Sequence, residues 1–196
     1  MINFSFCDLY KYYNAEKKNK TIDIKTPYLF VHKNNIDKLF ELNLNLDANL
    51  KKLIIYLKND QINFIFIFFD KQEVIHSSGV SLKKKSIDKF FFEFQTKDYG
   101  VIGPTFTNPS YRNKQFYKFA LEMQINRLIE EYNIYEIFIS TNRTKKTFSS
   151  FEHNNLKKFS LGLILSLLNK LFVYIIFKKP FRIRVFFNNR LLLRFR

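Results

Sequence analysis

Apolar positions along the chain change their spacing from segment to segment, and each change predicts a different element. From Leu46 through Leu50, Leu53, Ile54 and Leu57 they recur every three to four residues, which gives a helix one apolar stripe for packing. From Ile62 to Phe69 the run is continuous, β-branched and aromatic, too short and too β-prone to span a membrane, and it predicts a strand. The polar break Asp70-Lys71-Gln72-Glu73 and the resumption at Val74 to Val80 predict an antiparallel hairpin. A further strand is expected at Phe90 to Gln95, after the basic turn Lys83-Lys84-Lys85. Residues 1–60 are otherwise weakly punctuated, with a strand expected within Thr21 to His32, around Pro27.

The most informative stretch runs from Gly100 to Thr141. Val101 to Thr107 predicts a short strand, and Gly100 and Gly103 mark a bulge or a close approach of backbone to a ligand. Pro109 and Ser110 end it. Tyr117, Ala120, Leu121, Ile125, Leu128, Ile129 and Tyr132 then share one face of a helix of about twenty residues. Asn133 stops that helix and Ile134 to Thr141 is the next strand. Strand, helix and strand in one sheet imply a right-handed crossover between parallel neighbours. The helix start therefore lies beside a strand end, where free amides and the helix dipole attract an anion.

Beyond this unit, Thr144 to Lys158 predicts a short helix and Phe181 to Arg196 a hairpin turning at Asn188-Asn189. Phe159 to Phe177 is strongly apolar but carries Asn169 and Lys170. It is short for a transmembrane helix, so the readings are an interfacial element or core strands closing the sheet.

Charge changes the picture of that C-terminal part. The chain of 196 residues has a formal charge of +16, every arginine lies at or beyond Arg112, and no acidic residue follows Glu152. The lone Cys7 excludes an internal disulfide framework and has no metal-site spacing, so no metal is expected and a reducing compartment is the natural inference. Met1 to Tyr13 is aromatic and nearly uncharged, unlike a signal peptide, and a cytoplasmic location is expected. One domain is expected over residues 1–158, with a basic apolar extension over 159–196 packed on it.

The run Ile102-Gly103-Pro104-Thr105-Phe106-Thr107-Asn108-Pro109-Ser110-Tyr111-Arg112 resembles the GNAT superfamily of acyl-coenzyme A-dependent N-acyltransferases, and within it GNAT-like proteins of bacterial surface-polysaccharide gene clusters. Val74-Ile75-His76-Ser77 is similar to a strand of the same proteins, and the resemblance covers roughly residues 60–157. It implies an α/β (α+β) fold with a mixed, mostly antiparallel sheet and a parallel strand-helix-strand crossover at its centre. It also implies acetyl-CoA or another acyl-CoA as co-substrate. The pyrophosphate would meet backbone amides of the turn Arg112-Asn113-Lys114-Gln115-Phe116-Tyr117. The pantetheine arm would lie between strand ends that splay apart near Phe106, Thr107 and Thr141, and Thr147 would open the next helix. The amine of an amino sugar, in nucleotide-linked form, would attack the thioester directly. Gln115 stands where the Arg-x-x-Gly-x-Gly/Ala pattern has a glycine and Asn113 replaces another, while Asn155 stands at the glycine of a Gly-Phe pair that follows the next helix start. Asn tolerates a left-handed backbone, whereas Gln does so less readily and brings a side chain into the site. A GNAT-like chain without cofactor binding, serving as an interaction or membrane-associated module, is the alternative.

For proton transfer, His76 is the first candidate, on a strand facing the acceptor, and Glu73, Asp98 and Tyr99 are others. Arg112 and Lys114, at the helix start, suit phosphate contacts. An anionic membrane surface is the expected partner of residues 159–196. Nucleic acid is the less favoured one, since no helix-turn-helix, zinc or RNA-recognition signature accompanies the basic charge.

Overall fold

The computed structural model describes residues 2–12, 25–82, 98–142, 148–167, 171–176, 182–187 and 190–195. Ten described strands form one sheet in the order β10-β9-β8-β7-β1-β6-β5-β4-β3-β2. They are β1 (Ile2–Tyr12), β2 (Tyr28–His32), β3 (Phe64–Asp70), β4 (Glu73–Leu82), β5 (Tyr99–Thr107), β6 (Glu136–Asn142), β7 (Leu156–Leu167), β8 (Leu171–Ile176), β9 (Arg182–Phe187) and β10 (Arg190–Phe195). Only β5 and β6 pair in parallel among these strands, joined by the crossover helix. The helices are α1 (Lys38–Glu41), α2 (Ala48–Lys58), α3 (Phe116–Glu130) and α4 (Phe148–His153).

The alternation in β3 explains why the sheet carries helices on both faces. Ile65 and Ile67 enter one core with Leu50, Leu53, Ile54 and Leu57 of α2. Phe64 packs with Leu121, Ile125 and Leu128 of α3, while Phe66 and Phe68 join Ala120 of the same helix. Both sets are buried, so β3 is apolar throughout rather than alternately polar. Asp47 starts α2 by accepting a hydrogen bond from the Leu50 amide at 2.7 Å. Asn133, at φ 54°, takes the left-handed conformation that ends α3.

Gly100 sets the spacing between α3 and β5. A Cβ there would meet Leu128 Cδ1 at 3.0 Å and Cδ2 at 3.1 Å. Gly100→Ala is therefore expected to cost about 1–3 kcal/mol through overpacking, measured as a lower midpoint in urea.

Several expectations change. The strand β1 was not evident in the weakly punctuated N-terminal part, yet it lies between β6 and β7 and pairs antiparallel with both. Among the described residues the helix after Thr144 spans Phe148–His153, and Leu156 to Lys158 already belong to β7. That strand also runs across residue 158, so the sheet continues through the expected domain boundary. The apolar stretch from Phe159 forms strands, in agreement with the reading of it as strands that extend the sheet. The strand expected at Phe90 to Gln95 lies outside the described residues, as does Thr147.

Candidate active site

The parallel ladder between β5 and β6 covers Tyr99↔Glu136 to Ile102↔Ile139 and then stops. Beyond it each strand follows its other neighbour. β5 keeps pairing with β4 up to Thr107↔His76, whereas β6 keeps pairing with β1 up to Asn142↔Cys7. Gly103, at φ 143°, and Pro104 supply the turn in β5, because one extra β5 residue is accommodated between Ser78↔Thr105 and Val80↔Ile102. Proline has no amide to donate and glycine alone adopts such a backbone readily, so this pair suits a bulge. The result is a V-shaped opening between the ends of two adjacent strands.

The turn at the head of α3 lies at the β5 end of that opening. Asn108 folds it through its own side chain, accepting from the Ser110 amide at 3.1 Å. Asn113 (φ 65°) and Gln115 (φ 64°) both take the left-handed conformation. Gln115 is the N-cap residue but its side chain makes no capping bond. The amides of the first turn of α3, led by Phe116 and Tyr117, consequently have no intrahelical acceptor. The first turn holds no acidic residue. Three cations surround it: Arg112, whose Nε donates to Thr107 O at 3.3 Å, Lys114, whose Nζ sits 5.0 Å from the Tyr111 ring centroid, and Lys118. Free amides, a helix dipole and cations, with no acid in the first helical turn, make an anion site.

The proton-transfer candidates separate sharply. His76 is fully buried, with its Nδ1 hydrogen-bonded to Thr107 Oγ1 at 2.8 Å. Burial lowers its pKa to about 3, so the ring is neutral but has lost most of its basicity. Its ring centroid lies 5.9 Å from that of Tyr117, and Nε2 has no hydrogen-bond partner. The half-buried Tyr117 phenol is pushed well above its usual range by burial, an effect that its hydrogen bond with Thr105 partly offsets.

Glu73 is exposed and engaged elsewhere. It accepts from Asn108 Nδ2 at 2.8 Å and from the Tyr111 hydroxyl at 2.9 Å. Its bond and charge raise the Tyr111 pKa. Glu73 thus braces the turn at the head of α3 through both carboxylate oxygens. Glu73→Gln is expected to leave the melting temperature nearly unchanged while hastening amide exchange over residues 108–117, read by mass spectrometry.

Tyr99 lies at the other end of β5. It begins β5 beside Glu136, its ring 6.0 Å from Phe138, whereas the opening lies past the other end of the strand. Eight residues of extended chain separate it from Thr107 by about 26 Å. Phe106 and Thr107 do lie at the opening, and Thr141 stands on the facing strand in register with Asp8.

Other residues around the opening were missed. Tyr10, on β1, packs against Phe151 of α4 with ring centroids 4.3 Å apart, and Phe151 in turn meets Tyr117 at 6.0 Å. Asn154 donates to Lys118 O at 3.1 Å, tying the end of α4 to the first turns of α3. Nothing in the local pattern of β1 announces Tyr10, whose placement depends on a pairing more than a hundred residues long in sequence.

Among the described residues, no three His, Cys, Asp or Glu side chains gather as metal ligands, and no helix is long and apolar enough to cross a membrane.

A mixed, mostly antiparallel sheet with one parallel pair split at its end, and a crossover helix starting there, is consistent with the GNAT fold. Solved structures agree. A GNAT-family acetyltransferase from Colwellia psychrerythraea superposes with a TM-score of 0.54 at 14% identity, over 83% of this chain and 56% of its own. A GNAT-family acetyltransferase described from Novosphingobium aromaticivorans gives 0.51 at 6% identity, over 82% of this chain and 63% of its own. The chain thus spans less than two thirds of either structure. No protein-family profile matches the sequence. No curated protein is similar to it in sequence.

Proposed function

We propose that the chain is an N-acyltransferase that moves an acetyl or related acyl group from acyl-CoA to an amine. The observation that carries this reading is the split between β5 and β6 past Ile102↔Ile139, with the left-handed Asn113 and Gln115 turn at its mouth. The residues present fit acyl-CoA, since the backbone keeps the conformation that brings first-turn amides forward even without glycine. In this reading the amides of Lys114 to Tyr117 receive the pyrophosphate, with Arg112, Lys114 and Lys118 supplying positive charge. Unladdered backbone groups of β5 past Ile102 would pair with the amide-bearing arm. Acyl-CoA supplies an activated thioester, so no covalent enzyme intermediate is needed.

His76 is assigned as a positioning residue. Its hydrogen bond fixes Thr107 at the strand end, while its low basicity leaves the amine proton to solvent reaching the opening. An amino-sugar acceptor, in nucleotide-linked form, is the finer proposal and is supported only by the likeness of the Ile102–Arg112 run. Titration calorimetry with acetyl-CoA tests the core reading, with binding expected in the micromolar range and none at millimolar ligand overturning it.

A second reading is a GNAT-fold interaction module without the cofactor. It is favoured by the Gln115 side chain at the mouth of the site, where its Oε1 accepts from Lys118 Nζ at 3.3 Å. Failure of both acetyl-CoA and CoA to bind, with the fold intact, is the outcome that selects it.

A further inference from the structure

Beside the opening, β1 carries a carboxylate that the acyl-transfer reading has not used. Past Ile139 no residue of β5 pairs with β6, while β6 stays paired with β1, Ser140 with Leu9 and Thr141 with Asp8. Asp8 therefore stands one strand, about 4.8 Å, behind the edge of β6 that borders the opening. Alternation along β1 puts it on the same face as Tyr10, and Tyr10 packs in the core that α3 and α4 cover. Asp8 is 5% exposed and is the only buried acid among the described residues, in a chain of formal charge +16. Its Oδ1 accepts no hydrogen bond and has instead the Lys158 Nζ at 2.6 Å. Lys158 is in register with Tyr10, so it reaches Asp8 along that face, and its side chain is still 43% exposed. Neighbouring polar groups extend from Asp8 to the other lip of the opening. The Tyr10 phenol is raised by burial and then by the Asp8 charge. Tyr117, raised mainly by burial, feels Tyr10 in turn and is hydrogen-bonded to Thr105, on the part of β5 past its ladder with β6.

We propose that Asp8 is the subsite for the ammonium of the acceptor amine, and that Lys158 fills it while the acceptor is absent. The proposal rests on the acyl-transfer reading. An aliphatic amine is protonated near neutral pH, so the acceptor arrives as a cation. A chain this basic repels it over most of its surface, and a recessed carboxylate beside the opening is the group that favours it. Such a carboxylate must also be paired in the free protein, because a buried charge left alone is strongly destabilising. Lys158 supplies that pairing. Exchange for the acceptor replaces one ammonium–carboxylate contact by another, and Lys158, already half in water, moves fully into it. Asp8 thus binds and orients the amine, which attacks the thioester once its proton has left to solvent. If Asp8 and Lys158 were only a pin between β1 and β7, no small cation could take the place of the lysine.

Ethylammonium chloride is the probe, since its cation is the end of a lysine side chain. In full-length Lys158→Ala the carboxylate lacks its partner, and ethylammonium in the tens of millimolar is expected to raise the melting temperature by several degrees over sodium chloride at the same ionic strength. The double variant Asp8→Asn, Lys158→Ala is expected to show no such rise. If circular dichroism shows that Lys158→Ala does not fold, Lys158→Gln replaces it, with a smaller rise expected because the amide partly occupies Asp8. Calorimetry separates this subsite from that of the co-substrate: Asp8→Asn is expected to bind acetyl-CoA within about twofold of the parent. No rise in the single variant, an equal rise in the double variant, or a loss of acetyl-CoA affinity above about tenfold in Asp8→Asn would each overturn the proposal. Acetyl-CoA failing to bind the parent, with ethylammonium still protecting Lys158→Ala, would overturn the acyl-transfer reading and the acceptor role with it, while Asp8 remained an ammonium site.

Discussion

Gln115→Gly is expected to raise stability by about 0.5–1 kcal/mol and to tighten acetyl-CoA binding, while Gln115→Asp weakens binding more than tenfold without loss of stability. The two outcomes follow from one backbone angle. Gln115 sits at φ 64°, where an L side chain costs about 1–2 kcal/mol, and glycine removes that cost while giving back part of it as unfolded-state entropy. It also withdraws a side chain from in front of the first-turn amides. Aspartate tolerates the left-handed region better than glutamine and places a carboxylate at the positive end of α3, which favours the free protein. The same carboxylate repels a pyrophosphate arriving on those amides, and a tenfold loss needs only about 1.4 kcal/mol of repulsion. Urea melts and calorimetry on the parent and both variants measure the opposing signs. An aspartate variant that binds acetyl-CoA as well as the parent would place the phosphates elsewhere.

The central unit was legible in the sequence because its signals are local. Period-two and period-3.6 patterns, a Pro-bounded turn and an Asn stop fixed strand, helix and strand from Val101 to Thr141, and the expected parallel pairing of β5 with β6 is present. The left-handed turn was legible too, since glycine-type positions filled by Asn113 and Gln115 keep the backbone angle that the turn demands. What escaped depends on distant pairing. Nothing in Ile2 to Tyr12 distinguishes a central strand from an N-terminal arm, and only its ladders with β6 and β7 make it central. The extension from Phe159 has no period that separates helix from two-faced strand, because both of its faces contain large apolar residues. Among the chemical candidates, sequence could rank residue types but not environments. A histidine next to serines on a strand looks accessible, yet its pairing opposite Phe68 puts His76 on the face that α3 covers. Glutamate 73 looks free, yet its two acceptor bonds hold the turn.

Acid should destabilise this fold earlier than carboxylate titration alone would, and His76 is the reason. Its ring is neutral in the folded state down to about pH 3, whereas in the unfolded chain it takes up a proton near pH 6.5. A folded pKa below the unfolded one means that stability is complete above pH 6.5 and falls as pH drops, by about 1.4 kcal/mol per unit. The loss attributable to His76 is thus about 2 kcal/mol by pH 5 and about 5 kcal/mol once the pH has fallen to its folded pKa. The groups beside it do not titrate in this window: Thr107 and Phe66 have no charge, and the Tyr117 phenol is raised away from it. His32 adds a smaller term of the same sign, since burial and then Arg127 lower its pKa, though its partial exposure screens the effect. His76→Gln keeps a hydrogen-bonding group opposite Thr107 and removes the titration. Its free energy of unfolding is expected to stay nearly flat between about pH 6.5 and about pH 4.5, where the parent declines, with carboxylates taking over only below that. Urea denaturation across this range compares the two slopes. Equal slopes would mean that His76 takes up its proton in the folded state, with water reaching Nε2, and would restore it as a candidate base.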